Sequence, residues 1–578
     1  MTDDAAGCCQ PHPVNAARVS LGGVAPADRA ARPRRRETGG KAELLVTGSL
    51  ITLDDAAPRA EAMAIAKGRI LAVGSRADVE GFVGPGTRKL EHPGGAVLPG
   101  LVEPHVHLVS SALVFDGVDC SPYTNKTLDA VLAALKTAVA QAPAGQAVVG
   151  QLYDPSLLPG QPDLTVTLLD PISATVPIVV MNASQHFFYV NSAAYAAVGI
   201  SAETPNPPGG DFGARNGALT GIVAEAAAMI PFIKLLPSLT PDVVAKAITG
   251  IAAMAAKQGV TYVHEAATGA IAGVKEVDLL HEVFAQPGFP VRGSLSLWGE
   301  SLADFVAAGI VPGSGDDRLR SQTVKWVSDG SNQGYTGYLR ENYIGRDTRG
   351  VANFTAEQLT ANFAKTVAAQ WPIMCHANGD AALDMVMAAF TASAALPGWD
   401  PGKRHRIEHC SLLHDEHIAA MASLGISPSF LMNHVRLWGR VMRDDILGPA
   451  RADLLDRYAS ITKAGIRGSF HCDFSVSPIG PLNYIATAAA RTMADGGEVL
   501  NAAERVSVAQ AVRASTIDAA WMCHADDLVG SLEAGKAADF VLLGDDPLAH
   551  ESDPDAVRDI AVLATYSDGA EVHSAQAG

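Results

Sequence analysis

The sequence has little cysteine, no excess of positive charge and no long apolar run. Seven cysteines occur in 578 residues, an odd number at low density, which argues against a disulfide-built scaffold and is typical of reducing compartments. No apolar run approaches the roughly 18 residues of a membrane-spanning helix, and no apolar export signal follows the N-terminal arginines. We therefore predict a cytoplasmic protein that does not enter a membrane.

The charge balance excludes further classes of partner. The net charge is -18 and the calculated pI is about 5.4, so nucleic-acid phosphates and anionic lipid surfaces are unfavourable partners. The composition, 48% hydrophobic and 18% charged, is ordinary for a well-buried globular enzyme. We expect a small-molecule substrate, and base rates for oligomers favour a homodimer.

The two ends of the chain differ from its middle. Residues 1–40 are rich in Ala, Arg, Pro and Gly and are predicted to be disordered. Residues 41–97 and 528–571 carry short β-rich runs separated by glycine turns, as in "AMAIAKGRILAVG" and "KAADFVLLGDDP". We expect these two segments to pair and form one small split β-sandwich domain beside a larger central domain.

The central segment, residues 98–527, alternates strand-like and helix-like stretches. Stretches with helical character, such as "TAEQLTANFAKTVAAQ", separate most of the apolar strands, and eight such units predict an α/β fold with a (β/α)8 barrel. About 150 residues separate the first two strands, so we predict an insertion, about residues 108–258, at the barrel mouth. The strand candidates are GLVEPHVHL, VTYVHEA, VRGSLSLW, QTVKWVS, WPIMCHA, HRIEHCS, ISPSFLM and RGSFHCD.

A pair of histidines ends the first predicted strand. In "LPGLVEPHVHL", His105 and His107 are two positions apart, so their rings point to the same face of the strand. Two adjacent imidazoles fill a core poorly but are good metal ligands. Taken alone, the pair fits a metal site and a hydrogen-bonded pair of core histidines about equally well.

Other polar residues at strand ends decide between these alternatives. They belong to predicted strands four, five, six and eight, and the C-terminal ends of barrel strands meet at one mouth. Four imidazoles, one carboxylate and one lysine together predict a hydrolytic site with one or two divalent metal ions, of which Zn(II) suits these ligands well. The added residues are Lys325, His376, His409 and Asp473.

Lys325 admits two interpretations. An ammonium group beside metal cations would be repelled, so this lysine would be neutral or would carry a carbamate, whose two oxygens bridge the metals. The other interpretation is a lysine that pairs with Asp329 or extends its charge towards water. From the residues alone, the pairing is favoured.

The motifs resemble, in their order, those of a known enzyme family. Residues 41–571 resemble the amidohydrolase superfamily, specifically its YtcJ-like branch, amidohydrolase family 3. Each motif alone is weak, but eight in the family's order are highly specific. The resemblance implies a metal-dependent hydrolase made of a barrel and a small split β-sandwich. The motifs are GRILAVG, LPGLVEPHVHL, HFFYVNSAAY, VKWVSDGS, HANGDAALD, RIEH, FHCDFSVSPIGPL and GSLEAGKAADFVLL.

The resemblance also implies which residues bind metal. His105 and His107 match the pair that holds the first metal ion. His376 and His409 match the ligands of the second. Lys325 matches the lysine that is carbamylated and bridges the two ions, which raises this interpretation above the pairing.

Asp473 matches the aspartate that binds the first metal and handles the proton. The chemistry implied is attack of a metal-bridging hydroxide on a carbonyl, after which Asp473 returns the proton to the leaving nitrogen. We therefore predict an enzyme that hydrolyses a carbon–nitrogen bond, of the linear amide type, in a small organic substrate.

Two other functions stay open at this stage. The same centre could hydrolyse an ester or a lactone, or the protein could be a non-catalytic, metal-binding regulatory protein that keeps the fold. The substrate is not encoded in these motifs, because specificity depends on the insertion and the strand-end loops.

Three further histidines are candidates for the substrate pocket. His186 in "QHFFYVNSAAY" fits a substrate contact and a packed loop histidine about equally well. His434 follows predicted strand seven, and we interpret it as pocket wall rather than ligand. His471 occupies a position where this family is expected to have a small residue. It shares the inward face with Asp473, either as a neighbour of the ligands or as filling of the lower barrel.

Overall fold

The chain folds around a central barrel, and most of its elements build or flank this barrel. The computed structural model describes residues 40–185, 187–207, 210–494 and 496–575. The predictions for His186 and for residues 1–40, apart from Gly40, lie outside the described residues. In the described part of the chain, no helix combines the length and apolarity needed to cross a lipid bilayer.

The strands of the described chain belong to three sheets and one small hairpin. They are, in order, β1 (Leu44–Ile51), β2 (Arg59–Ala66), β3 (Arg69–Gly74), β4 (Arg88–Pro99), β5 (Leu101–Val106), β6 (Val118–Asp119), β7 (Val148–Tyr153), β8 (Ile178–Asn182), β9 (Phe187–Val190), β10 (Ala214–Arg215), β11 (Ala218–Leu219), β12 (Ile222–Ala224), β13 (Val260–Thr268), β14 (Arg292–Trp298), β15 (Leu319–Val327), β16 (Ile373–Ala377), β17 (Arg406–His409), β18 (Ser427–Leu431), β19 (Ser469–His471), β20 (Phe540–Leu543), β21 (Val562–Ser567) and β22 (Ala570–Ser574).

The α-helices lie mainly between the strands of the central segment. They are α1 (Arg76–Glu80), α2 (Leu108–Ser111), α3 (Leu128–Gln141), α4 (Val166–Leu169), α5 (Ser192–Val198), α6 (Ala226–Met229), α7 (Pro241–Lys257), α8 (Lys275–Phe284), α9 (Leu302–Ala307), α10 (Ala356–Ala368), α11 (Asp380–Ala394), α12 (Asp415–Leu424), α13 (Gly439–Val441), α14 (Pro449–Ala452), α15 (Tyr458–Lys463), α16 (Pro481–Ala490), α17 (Val508–Ala514) and α18 (Ile517–Met522).

Eight parallel strands form a nearly closed barrel. The sheet runs from β5 through β13, β14, β15, β16, β17 and β18 to β19. A parallel bridge joins Val106 to Phe474, and the His107 N–H donates to the Phe474 carbonyl at 2.8 Å, which links the two edges. β14 and β18 are buried along their whole length, as expected of strands in a parallel sheet that helices cover. All eight predicted strands are present, which confirms the α/β barrel.

Local sequence explains how a barrel helix such as α10 begins and packs. The Thr355 hydroxyl accepts from the Gln358 N–H, and the Gln358 side chain accepts from the Thr355 N–H, which is a capping box. Leu359, Phe363 and Val367 then recur every four residues and are buried. This spacing gives the helix one apolar face, which it buries against its neighbours.

Strands from both chain ends meet in one seven-stranded sheet, in the order β22, β21, β20, β4, β1, β2, β3. β20 pairs antiparallel with the end of β4, so that Phe540 lies opposite Pro99 and Leu543 opposite Ala96. An apolar cluster of its own, which includes Phe540, packs on this sheet. The two predicted end segments therefore share one sheet, whereas its sandwich form and the domain boundaries stay predictions.

The segment between β5 and β13 contains a five-stranded sheet in the order β12, β9, β8, β7, β6. It has its own apolar cluster, and it touches loops that follow barrel strands. The Trp438 indole N–H donates to Asp154 Oδ2 at 2.8 Å, and Gln185 Nε2 lies 3.5 Å from Ser475 Oγ. These contacts lie beyond the C-terminal ends of β18 and β19. The exact limits of the insertion stay a prediction.

A buried arginine connects the seven-stranded sheet to the opposite end of the barrel. Arg292, the first residue of β14, donates from Nε to Asp539 Oδ2 at 2.8 Å and from Nη1 to the Asp317 carbonyl at 2.8 Å. Its Nη2 donates to the Asp568 carboxylate. Arg292 and Asp539 are 2% and 4% exposed, so the guanidinium is fully engaged where water is excluded.

Candidate active site

The barrel mouth brings His105, His107, Lys325 and Asp473 together. His107 Nε2 lies 3.1 Å and His105 Nε2 lies 3.3 Å from Asp473 Oδ1. Lys325 Nζ, from β15 across the barrel, lies 3.2 Å from His105 Nε2. Two ligands of one tetrahedral metal ion with bonds near 2.1 Å are roughly 3.4 Å apart. His105, His107 and Asp473 are therefore spaced as ligands that could share one metal, and Lys325 lies beside them.

His376 and His409 form the second part of this cluster. They lie near the ends of β16 and β17, and their ring centroids are 4.4 Å apart. His409 Nε2 is 3.9 Å from Asp473 Oδ2. His376 Nε2 is 3.0 Å from the Gly330 carbonyl and 3.1 Å from Asn378 Nδ2. With the carbonyl as its acceptor, this nitrogen carries the proton and Nδ1 keeps a lone pair for a metal.

Left-handed backbone aims His409 into the mouth. Strand alternation would place His409 and Glu408 on opposite faces of β17, yet both reach the cluster. The φ angles of His409 and Cys410 are 68° and 49°, and Asp473 has a φ of 56°. Non-glycine residues rarely adopt this region, and such conformations concentrate at functional sites, where the surrounding structure holds them.

Glu408 orients His105, a role that the sequence analysis missed. Glu408 Oε2 lies 2.6 Å from His105 Nδ1, and Arg406 Nη2 donates to the same oxygen at 2.8 Å. All three side chains are buried. Because Nδ1–H donates to Glu408, His105 Nε2 keeps its lone pair on the side of Asp473 and Lys325. In the sequence, the only indication of this role is the Arg and the Glu that are two positions apart just before the histidine in "RIEH".

Asp329 does not pair with Lys325. Its carboxylate accepts three backbone N–H groups at 2.8–3.0 Å and so ties the loop after β15 to the end of β16. Lys325 contacts His105 instead, so the pairing interpretation finds no support in this geometry. The three donors are Tyr338, Asn378 and Gly379.

Burial favours the neutral form of three imidazoles at the mouth by lowering their pKa values. Burial, reinforced by neighbouring cationic groups, lowers the pKa of His105 and of His409 well below the usual value. It lowers the pKa of His471 to about 3. The neutral ring is the form that binds a metal, so these side chains are prepared as ligands at physiological pH.

Lys325 and Asp473 both have lowered pKa values. Burial lowers the pKa of Lys325 more than the carboxylates of Glu408 and Asp473 raise it, as is common for buried lysine. Burial alone would raise the pKa of Asp473, but its interactions with the neighbouring histidines, of which that with His105 is the largest, outweigh burial and hold this pKa well below its usual range. The lysine is thereby biased towards its neutral form and the aspartate towards its charged form.

The donor atoms fit a divalent metal. In the part of the chain that the structure describes, His409 Nε2 and Asp473 Oδ1 are buried without a hydrogen-bond partner. An unsatisfied buried polar atom costs about 1–3 kcal/mol, and a bound cation would satisfy both. Within the described residues, two triads have donor atoms within 4.8 Å of one another. They are His105, His107 and Asp473, and His105, His409 and His471.

His471 and His434 occupy different environments. The His471 ring lies 4.7 Å from that of His105, measured between centroids, and its Nε2 is 3.2 Å from His409 Nδ1. It is therefore a neighbour of the ligands. His434 begins a π-helical turn, His434–Trp438, and its Nδ1 lies 3.2 Å from Ser411 Oγ. It belongs to neither triad, and its role as pocket wall stays a prediction.

Comparison with known proteins finds similar chains along almost the whole length of this one. The family model described as the amidohydrolase family (Amidohydro_3) matches residues 93–573. The chain is 30% identical over 560 residues to Protein LONG AFTER FAR-RED 3 of Arabidopsis thaliana, covering 92% of each chain. It is 28% identical over 549 residues to the N-substituted formamide deformylase of Arthrobacter pascens, covering 91% of this chain and 97% of the deformylase.

The fold has a close counterpart among solved structures. An uncharacterized metal-dependent hydrolase from Pyrococcus horikoshii superposes with a TM-score of 0.71 at 21% identity, over 88% of this chain and 99% of that one. This similarity supports the barrel fold independently of the motifs. With the family model matched over most of the chain and side chains that could hold a metal converging at the barrel mouth, this chain belongs to the amidohydrolase family of metal-dependent hydrolases.

Proposed function

We propose that this enzyme hydrolyses a linear amide-type carbon–nitrogen bond in a small organic substrate, with one or two divalent metal ions, preferably Zn(II), at the barrel mouth. The observation that carries the proposal is the convergence of His105 Nε2 and His107 Nε2 on Asp473 Oδ1 within 3.1–3.3 Å. His376 and His409 would complete the second half of the site. Lys325 would act as a carbamylated bridge, which its buried, neutral-biased amine supports.

The protein side chains divide the remaining chemistry. When bound, a divalent metal polarises a carbonyl oxygen and lowers the pKa of water. Asp473 is the carboxylate placed to take a proton from the attacking water and to deliver it to the leaving nitrogen, which leaves poorly unless protonated. Glu408 fixes the tautomer of His105. This division assigns proton transfer to Asp473 and orientation to Glu408.

The substrate proposal draws on one relative. The similar Arthrobacter pascens protein is named an N-substituted formamide deformylase, and such a formamide is a small linear amide. We therefore propose N-substituted formamides as the first substrates to test. Substrate choice would depend on the segment between β5 and β13, which contacts the loops of the mouth through Asp154 and Gln185.

The test is a panel of N-alkyl and N-aryl formamides, larger linear amides, and the matching esters and lactones. It is run with wild type and with Asp473→Asn at measured metal content. Amide turnover by wild type, lost in Asp473→Asn while at least one metal equivalent remains, supports the proposal. Turnover of esters or lactones alone would move the assignment to those substrates. Bound metal without turnover on any class would favour the regulatory, non-catalytic alternative.

We also propose that the seven-stranded sheet is the core of a split β-sandwich domain, residues 41–97 and 528–571, beside the barrel of residues 98–527. Its separate apolar cluster and the pairing of β4 with β20 support this division. The sheet would hold the two chain ends at the opposite end of the barrel from the reacting groups. Its contribution would therefore be stability rather than catalysis.

A further inference from the structure

His471 is buried next to the ligand cluster without being one of the ligands assigned above. It is 0% exposed and is the last residue of β19, two positions before Asp473. Its ring nitrogens have different partners. Nε2 lies 3.2 Å from His409 Nδ1, and Nδ1 lies 2.9 Å from Ser429 Oγ.

These contacts form a continuous chain of hydrogen bonds. The Ser469 hydroxyl donates to Ser429 Oγ at 2.9 Å, and this oxygen has a second lone pair that can accept from His471. His471 can then donate to Ser429 from Nδ1–H, which leaves His471 Nε2 with a lone pair. That lone pair accepts the Nδ1–H of His409. In this arrangement His409 Nε2 carries no proton, which agrees with its being a buried atom that has no hydrogen-bond partner among the described residues.

We propose that His471 is a positioning residue that fixes the tautomer and ring orientation of His409, so that the Nε2 lone pair of His409 faces the metal site. The inference rests on the proposed function for the identity of the site, but it concerns a hydrogen bond that forms without metal. It assigns the three-residue relay Ser429, His471 and His409 to the half of the site that includes His376.

The comparison with the other ligands supports this assignment. The nitrogen of His105 that faces away from the site bonds the Glu408 carboxylate, and the corresponding nitrogen of His376 bonds the Gly330 carbonyl. Partners of this kind fix the ring of a metal-binding histidine and raise its basicity. For His409 the partner is a neutral imidazole, a weaker acceptor than a carboxylate. The metal held by His409 should therefore be released more readily than the one held by His105.

His264 provides a matched control. It is also 0% exposed inside the barrel, and it also bonds a serine, with Nδ1 at 2.7 Å from Ser294 Oγ. Its Nε2 lies 3.3 Å from Thr323 Oγ1 instead of a ligand. Substitutions at His264 therefore reproduce the loss of a buried imidazole without touching the relay.

The experiment uses the full-length protein as wild type, His471→Leu, His471→Gln, His264→Leu and His264→Gln. The first readout is the ¹⁵N spectrum of histidine-labelled, metal-free protein, with the His409 signals assigned by difference from His409→Gln. The second is the zinc content per chain and the two zinc affinities, from competition with a chelator in bicarbonate buffer. Melting temperatures show that each variant is folded.

We expect the metal-free wild type to show His409 protonated at Nδ1 alone. His471→Leu should give a mixture of tautomers and weaken the weaker zinc equivalent by about 10–100-fold, with the tighter one unchanged. His471→Gln should restore most of the single tautomer and most of the zinc affinity. An amide oxygen can reach the position of Nε2 and accept the same hydrogen bond. Both His264 variants should match wild type in tautomer and zinc affinity.

Three results would overturn the inference. These are an unchanged His409 spectrum in His471→Leu, equal effects from the His264 variants, or a zinc ion located on His471 Nε2 by anomalous scattering. A wild type that binds a single zinc would instead contradict the two-metal form of the proposed function. The His409 spectrum would still decide the role of His471, because that readout needs no metal.

Discussion

The two ends of the barrel treat buried charge in opposite ways. At the end opposite the mouth, Arg292 bonds two carboxylates and one carbonyl through all three of its nitrogens. At the mouth, His409 Nε2 and Asp473 Oδ1 are buried and have no hydrogen-bond partner among the residues that the structure describes. The backbone there adopts left-handed conformations. The buried charge of Arg292 is paired internally at one end, while ligand atoms at the other end keep lone pairs available for a cation.

This difference separates stability from function. The hydrogen bonds at the closed end, opposite the mouth, hold the seven-stranded sheet on the barrel. The N-terminal face of such barrels usually contributes to stability. Buried donor atoms without partners at the mouth cost free energy in the absence of a ligand. Binding of a cation would offset this cost. Changes at the mouth should therefore alter metal binding and turnover, and changes at the closed end should alter the free energy of unfolding.

The largest expected effect is that of metal removal. Dialysis against a chelator should abolish hydrolysis, and zinc with bicarbonate should restore it. The melting temperature should also fall, since a ligand at 100 times its Kd stabilises the folded state by about 2.7 kcal/mol. Calorimetry and activity assays on the same samples check both effects. Full activity in protein without detectable metal would contradict the assignment of the mouth as a metal site.

Asp473→Asn should lower kcat by about 10²–10⁴-fold, the usual contribution of a proton-transfer group, with a smaller effect on KM. The amide keeps the shape of the side chain but cannot accept and return a proton. Steady-state kinetics at matched metal content measures the change. As a control, Asp545→Asn alters an exposed carboxylate that pairs with His550 at 3.0 Å and should leave kcat unchanged.

Arg292→Leu should lower the free energy of unfolding by about 3–5 kcal/mol, because it leaves the Asp539 carboxylate buried without its partner. Urea denaturation measures the loss, and kcat of the folded fraction should be unchanged. Lys246→Ala is the matched control, since the Lys246–Asp116 pair is 65% and 61% exposed by side chain and should contribute no more than about 1 kcal/mol. A similar loss in both variants would refute the contrast between the two ends.

Glu408→Gln should have the smallest effect of this series on the metal site, a loss of about 10–100-fold in metal affinity or activity. It should also lower the free energy of unfolding, because the buried Arg406 loses its counter-charge. The amide can still contact His105 Nδ1 but removes the negative charge that raises the basicity of the ring. Zinc competition assays test this directly. A zinc affinity equal to that of wild type would show that the carboxylate orients the His105 ring without raising its basicity.

Much of the fold follows from local patterns. The eight apolar runs are short and are separated by helix-forming stretches, and each forms a barrel strand. Such a run can be identified from its own residues, without knowing which strands it will pair with. The shared face of His105 and His107 follows from strand alternation alone. The position of Lys325, His376 and Asp473 near strand ends follows from the fact that a barrel gathers these ends at one mouth.

Other features depend on contacts between residues far apart in the chain. Glu408 orients His105 from 303 positions away. The local RIEH motif does not indicate which histidine its glutamate contacts. His471 could only be placed beside the ligands or in the lower barrel, and its contact with His409 joins two strands.

The sequence by itself determined the strand order, the candidate ligands and the family resemblance, because these depend on residue type and on short-range periodicity. Only the tertiary structure decided the direction of the His409 ring, since a left-handed φ at the strand end overrides alternation. It likewise decided that Asp329 binds backbone while Lys325 faces His105. Orientation and pairing of side chains depend on distant neighbours, and only the folded chain brings those neighbours together.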